Sequence, residues 1–242
     1  MSETTWLYWE GPMPPLISLC CRTVSAHNEG VVLLDRAGFD KLFIHDRDID
    51  IDALALNHKS DFIRSYLLKH YGGLYVDADC VVMRNLAELF EKAAQYGFVG
   101  YREPLGYMSC NFMASAPDGA VISDHYRRVC STLRGGRPLA WLDLASVPMD
   151  KVIVDHPGQS YLLATESVMP VSWQDSDLFC LRRMDEEHVQ HHNPASYCYM
   201  LSHNTIKSRL QTRILCYMPE SDLLNDRYFL SFLLRKSLAK GH

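Results

Sequence analysis

The sequence predicts an α/β fold, because short apolar runs of strand character alternate with longer segments of helical periodicity, and carboxylates fall where the apolar runs end. Three runs carry the expectation: Thr5-Trp6-Leu7-Tyr8-Trp9, Val31-Val32-Leu33-Leu34 before Asp35, and Leu74-Tyr75-Val76 before Asp77-Ala78-Asp79. At 242 residues, 48% hydrophobic and 22% charged, the chain suits one domain over 1–242 with a large core and helical additions.

In order, strand 5–9 leads into the turn cluster Glu10-Gly11-Pro12-Met13-Pro14-Pro15 and a helix from Leu16 to His27. Asp35 ends the second strand, where open sheets place ligands; it reads as a ribose or base contact or as an exposed turn acid. Phe39 to Ile44 is a third short element. The run Asp46 to Asp52 looks like a metal cage, but its register more simply gives a solvated loop with Ile49 and Ile51 turned inward. Ser60 can cap a helix with Asp61 in its first turn, and Phe62, Ile63, Tyr66 and Leu67, with His70 or Tyr71, form its apolar stripe. Arg64, one position from Ile63, stands off that stripe. Gly72-Gly73 stops the helix.

Beyond the carboxylates, Asn85 caps a helix over Leu86–Tyr96, Gly97 ends it, and strands follow at 98–101 and 108–115. Asp118 caps a helix through Leu133. Trp141–Val147 is a short helix bearing Asp143, 155–160 a loop, and Val168–Val171 a short strand. His188, His191 and His192 lie near Cys180 and Cys198 at spacings of no closed zinc site, which makes them exposed loop histidines. Tyr197–Leu201 is a strand leading to Ser202-His203-Asn204. Ser221 caps a C-terminal helix over 222–238 whose Tyr228, Phe229, Phe232 and Leu233 dock on the domain; with Arg235, Lys236 and Lys240 behind them, the alternative is peripheral contact with an anionic membrane.

A net charge of -5 leaves no broad basic surface for nucleic acid. Eight scattered cysteines without a C-x-x-C read as buried thiols of a reducing compartment. Residues 1–6 lack the basic and apolar regions of a signal peptide, and no apolar run approaches the roughly eighteen residues of a membrane span, so the expected location is cytoplasmic, with peripheral membrane contact as an option.

The chemistry concentrates at Asp77 and Asp79. Two residues apart on an extended chain, their carboxylates point to one side and repel unless a cation lies between them. Hard oxygen ligands suit Mn²⁺ or Mg²⁺, which complete their shells with substrate phosphates.

The stretch from Asn57 to Leu86, with S-D-x-x-R on a helix and then Y-G-G-L-Y-V-D-A-D, resembles the DXD-containing sugar transferases of the GT-A type. Within them it is closest to the capsular polysaccharide synthesis and α-mannosyltransferase-like DXD sugar-binding group. The resemblance implies a Rossmann-type mixed sheet flanked by helices with a C-terminal helical segment. It implies a metal-dependent hexosyltransferase of polysaccharide biosynthesis, moving sugar from a UDP- or GDP-sugar to a hydroxyl of a glycan or lipid-linked acceptor, with retention. It also implies roles for Ser60, Asp61 and Arg64 toward the donor and for Asp77 and Asp79 toward metal and diphosphate. W-L-Y-W-E-G-P resembles the family's opening strand beside the base, which makes Tyr8 and Trp9 stacking candidates and leaves Trp6 to the core. Asn111 falls where relatives carry a polar residue near sugar or acceptor, and His203 where a late side chain closes the metal site.

L-Y-V-D-A-D-C-V-V also resembles the first motif of haloacid-dehalogenase-type phosphatases, with Asp77 as nucleophile and Asp79 as general acid. That motif belongs on a first strand, whereas about seventy residues precede it here, and Asp175 and Asp177 lack the expected acidic-pair pattern. A non-catalytic nucleotide-sugar-binding module is the third reading.

Overall fold

The computed structural model describes residues 3–239; Lys240, counted above among the basic residues, lies outside them. In chain order the elements are β1 (Thr5–Tyr8), α1 (Pro15–His27), β2 (Val31–Leu34), α2 (Arg36–Leu42), α3 (Leu56–Tyr71), β3 (Gly73–Val76), β4 (Cys80–Val82), α4 (Ala87–Tyr96), β5 (Phe98–Arg102), β6 (Met108–Ser115), α5 (Ala120–Arg134), α6 (Ser146–Asp155), β7 (Tyr161–Leu163), α7 (Asp185–His188), β8 (Cys198–Met200), α8 (His203–Ser208), α9 (Glu220–Asn225) and α10 (Phe229–Leu238). They form two compact units. One draws on Val32–Val76, Ala87–Leu163 and the segment ending at Trp9; the other on Glu10–Val31, Asp77–Leu86 and the segment starting at Ala164.

The first unit is built on a mixed six-stranded sheet in the order β2-β1-β3-β6-β5-β7. β1 and β3 run parallel with Trp6 opposite Tyr75, and β3 pairs antiparallel with β6, Val76 opposite Phe112. The expected strands β1, β2, β3, β5 and β6 all form. β7 and α6 were not legible: Tyr161–Leu163 is three residues long and gains its strand identity from parallel pairing to β5.

Helix α3 starts a turn earlier than expected. Its N-cap is Ala55, without a side-chain bond, so Ser60 and Asp61 lie within the helix and not at its start. Long-range partners extend it: the His58 ring bonds the Ala140 carbonyl at 3.1 Å and Lys59 pairs with Asp52 at 3.4 Å. It stops where predicted. Gly72 and Gly73 have φ of 65° and 100°, and a Cβ on either would run into backbone, of Pro117 and Thr4 respectively. The Trp6 indole N–H seals this corner by donating to the Gly72 carbonyl at 2.8 Å, which makes it the core residue the sequence implied.

The acidic run is a loop with Ile49 and Ile51 buried. Its carboxylates are spent on protein partners: Arg134 bonds Asp46 and Asp48 at 2.6 and 2.7 Å, Arg36 bonds Asp52 at 2.8 Å, and Asp50 caps the turn at Ile51–Ala53. Asp35 caps α2 through the Gly38 N–H. Asp118 adopts φ 58° and pairs with Lys69 beside α5, whose N-cap is Gly119.

The second unit packs α1, α10 and the antiparallel pair β4–β8 around a core that includes Leu16, Leu19, Val81, Tyr199, Phe229 and Leu233. Three expectations change here. Val168–Val171 is not a strand, since Pro170 has no N–H for a ladder and residues 165–167 coil into a 3₁₀ turn. His188 is fully buried, its ring bonded to the Leu181 carbonyl at 3.1 Å; only His191 of the three histidines is exposed. The C-terminal helix is two, broken at Asp226–Tyr228, where Tyr228 bridges to Arg182. Phe229 and Leu233 are fully buried and Phe232 is nearly so, so these side chains dock into the unit's core. No helix among the described residues is long and apolar enough to cross a membrane. All eight cysteines are free thiols.

Candidate functional site

In the first unit the candidate residues converge on α3 and the carboxyl ends of β1 and β3, the edge where parallel sheets carry ligands. Arg64 Nη2 donates to Ser60 Oγ at 3.0 Å, Ser60 Oγ bonds the Tyr75 hydroxyl at 3.2 Å, and the guanidinium lies 5.2 Å from the Tyr75 ring centre. Arg64 Nη1 pairs with Asp61 Oδ1 at 3.5 Å. Standing off the stripe does not free Arg64: its side chain is only 8% exposed, because α3 is buried nearly all round from His58 to Leu68. Burial raises the Asp61 pKa and outweighs the pull of Arg64 and His58. Asn111, half-buried on β6, accepts from the Tyr101 hydroxyl at 2.9 Å, next to the residue that pairs with the last position of β3. Tyr8 is buried in the unit's core, whereas Trp9 is half-buried just past the strand.

Two members of this cluster escaped the sequence reading. Tyr75 reads as one more apolar strand residue, and only the α3–β3 packing reveals its hydroxyl as a partner of Ser60. His125 on α5 is fully buried, and neither ring nitrogen bonds a described residue. Burial, with Arg64 nearby, lowers its pKa to about 3. An unfolded imidazole titrates near ~6.5, so from there down to about 3 the unfolded chain takes up a proton that the fold refuses. Stability should therefore fall as pH drops through that window, by ~1.4 kcal/mol per pH unit. His125→Leu is expected to shrink the stability difference between pH 7 and pH 4.5 by ~2–3 kcal/mol in urea denaturation.

In the second unit the D-x-D lies in the turn joining β3 to β4, not on extended strand. Asp77 and Asp79 are half-exposed and Ala78 between them is buried. The β4–β8 ladder pairs Cys80 with Met200, and its continuation brings the Leu201 N–H to the Asp79 carbonyl at 3.1 Å. Ser202 then adopts a left-handed conformation, φ 55° and ψ 63°, and turns the His203 N–H onto Asp79 Oδ2 at 2.6 Å. His203 is thus brought to Asp79, its backbone amide making the contact. Burial lowers the His203 pKa against the opposing pull of Asp79, which favours the neutral ring. Cys21 donates weakly to the Ala78 carbonyl; burial and the Asp79 charge push its thiol up to about 12, so it stays protonated.

Among the described residues no three His, Cys, Asp or Glu side chains are gathered into a ready cation site. Two carboxylates with a neutral imidazole nonetheless fit Mn²⁺ or Mg²⁺ chemically, since such ions draw much of their shell from substrate phosphates and water.

Residues 39–96 match the family described as "Glycosyltransferase sugar-binding region containing DXD motif". No curated protein matches the chain significantly by sequence. Among solved structures, the apo form of the glycosyltransferase GlyE from Streptococcus pneumoniae TIGR4 is similar over 98% of this chain and 64% of that one, at 13% identity and a TM-score of 0.55. A second GlyE structure gives the same coverage and identity with a TM-score of 0.51. The PaToxG glycosyltransferase reaches a TM-score of 0.45 at 14% identity over 63% of this chain and 69% of its own. The chain thus spans less than two thirds of GlyE, and the likeness is one of fold. Residues 39–96 thus match a glycosyltransferase sugar-binding region containing a DXD motif, and the chain shares its α/β fold with the glycosyltransferase GlyE.

Proposed function

We propose that the protein transfers a hexose from a UDP- or GDP-sugar to a hydroxyl of a glycan or lipid-linked acceptor, with retention, using Asp77 and Asp79 to hold Mn²⁺ or Mg²⁺. The observation that carries this reading is the Asp79–His203 contact, in which a strand pair and a left-handed Ser202 orient one carboxylate of the D-x-D. When bound, the ion would offset charge developing on the departing nucleoside diphosphate. Asp79 presents its second oxygen while Oδ2 is held by the His203 amide. His203 offers a neutral ring as a third ligand. Ser60, Asp61 and Arg64 form the donor-side cluster, Trp9 offers an aromatic face for the base, with Tyr8 behind it in the core, and Asn111 a polar contact to sugar or acceptor. The acceptor oxygen bonds to the anomeric carbon as its bond to the diphosphate oxygen breaks, and the acceptor proton passes to that leaving oxygen on the same face.

UDP- and GDP-sugars screened with Mn²⁺ should yield one donor that raises the melting temperature only with metal and is slowly hydrolysed to the nucleoside diphosphate. Stabilisation without hydrolysis or transfer would mark a binding module, and hydrolysis of simple phosphate esters a phosphatase. His203→Ala keeps the backbone N–H on Asp79, so it isolates the ring: the Mn²⁺ concentration for half-maximal activity should rise by roughly tenfold or more. An unchanged Mn²⁺ requirement would remove the ring from the ligand set.

A further inference from the structure

From the last turn of α8 towards α9 the second unit carries a short surface excursion, residues 207–217, with an unusual combination of side chains. Leu210, Ile214 and Tyr217 are 71%, 50% and 71% exposed. Their neighbours hold the segment in place, so it cannot fold these three inward. Thr212, Leu215 and Cys216 are buried, Thr212 Oγ1 donates to the Ile206 carbonyl at 2.8 Å, and the Cys180 thiol donates to the Gln211 carbonyl at 3.4 Å. Interleaved with the apolar residues stand Lys207, Arg209 and Arg213, and no Asp or Glu occurs from Lys207 to Pro219 in a chain whose net charge is -5. Arg209 is partly engaged, with the Gln174 carbonyl at 2.8 Å and Asp177 at 3.8 Å. Lys207 and Arg213 are exposed and pair with no described carboxylate.

We propose that this excursion docks on an anionic phospholipid surface. Leu210, Ile214 and Tyr217 would enter the boundary between headgroups and acyl chains, where a tyrosine ring is well placed, and Lys207 and Arg213 would meet the lipid phosphates and carboxylates. Size and charge together favour this occupant. Three side chains offer on the order of 400 Å² of apolar surface, about half of the roughly 800 Å² that each partner contributes to a standard protein interface. A bilayer needs no matching contour, and its negative surface complements Lys207 and Arg213, while the one acid beside the patch, Asp177, lies against Arg209. The surface is separate from α10, whose apolar residues are in the core.

Co-sedimentation with vesicles tests it. Wild-type protein should pellet with phosphatidylcholine vesicles carrying roughly 30% phosphatidylserine, bind pure phosphatidylcholine far more weakly, and be released by high salt. Lys207→Gln with Arg213→Gln should weaken binding by about 25-fold, fivefold for each cation near the surface. Leu210→Ser with Tyr217→Ser should abolish pelleting while the melting temperature stays as in the wild type. Wild-type protein left in the supernatant with anionic vesicles would overturn the proposal, as would charge-neutralised protein that binds like the wild type. Should the serine variant misfold, the glutamine variant decides, because it touches only exposed, unpaired cations.

Discussion

Asp79→Ala is expected to lower sugar transfer by at least about a hundredfold, with a change in unfolding free energy near ~1 kcal/mol. The large effect on activity follows from two losses at once. The carboxylate that would take the metal is removed, and so is the acceptor that orients the His203 segment at 2.6 Å. Removing electrostatic stabilisation of a developing charge commonly costs ~2.7–4 kcal/mol in the transition state. The effect on stability is small because Asp79 is half-exposed and its released partner, a single N–H at the start of α8, can turn to water. Asp79→Asn keeps the hydrogen bond and removes the charge, so it separates the roles: it should be nearly as inactive as the alanine variant. Rates of Asp79→Asn within threefold of wild type, or full activity in excess EDTA, would contradict a metal-holding carboxylate.

Arg64→Ala is expected to cost ~3–5 kcal/mol of stability, because it strands Asp61 as a buried acid without its cation. Asp61 is only 6% exposed, and its pKa already lies above the ordinary range through burial, with Arg64 the largest opposing pull. The sign of the pH dependence follows. Near pH 4 the carboxyl titrates in the unfolded chain but holds its proton in the fold, so the folded state binds more protons and stability falls as pH rises from there towards the raised pKa. Without Arg64 that pKa rises further, and the deficit should grow from pH 4 to pH 7. Arg64→Lys restores the charge but not the planar fork that reaches Ser60. It should recover much of the stability and leave weaker use of donor at subsaturating concentration. Urea denaturation of both variants at pH 4 and pH 7 checks this; an alanine variant as stable as wild type at both would show that Asp61 and Arg64 are not coupled.

How much could be read in the chain varied with the range of the forces involved. Gly72-Gly73 announced itself, because a left-handed helix stop beside close backbone admits little else. The runs at 5–8, 31–34 and 73–76 declared their strands, and Asp77-Ala78-Asp79 could be read as paired carboxylates just beyond the third. Ile49 and Ile51 told a buried side of the acidic loop from a solvated one. These features rest on backbone sterics, strand alternation and apolar patterning, all of which act over a few residues.

What the chain could not show was decided by partners distant in sequence. Arg64 is spaced to leave the apolar stripe and face the donor, yet α3 is enclosed on nearly every side, so tertiary burial encloses its side chain. Tyr75 and His125 joined that cluster only when α5 and β3 packed on the helix. Three-residue β7 exists because β5 lies beside it, and the final helix splits because Tyr228 bridges to Arg182. His203 could be nominated from residue type and position, but its backbone contact with Asp79 required the β4–β8 ladder and one left-handed serine. Local propensity and side-chain chemistry were therefore properties of the sequence by itself, while pairing, enclosure and the meeting of Asp79 with His203 were tertiary outcomes, since their energies arise between segments that no local pattern relates.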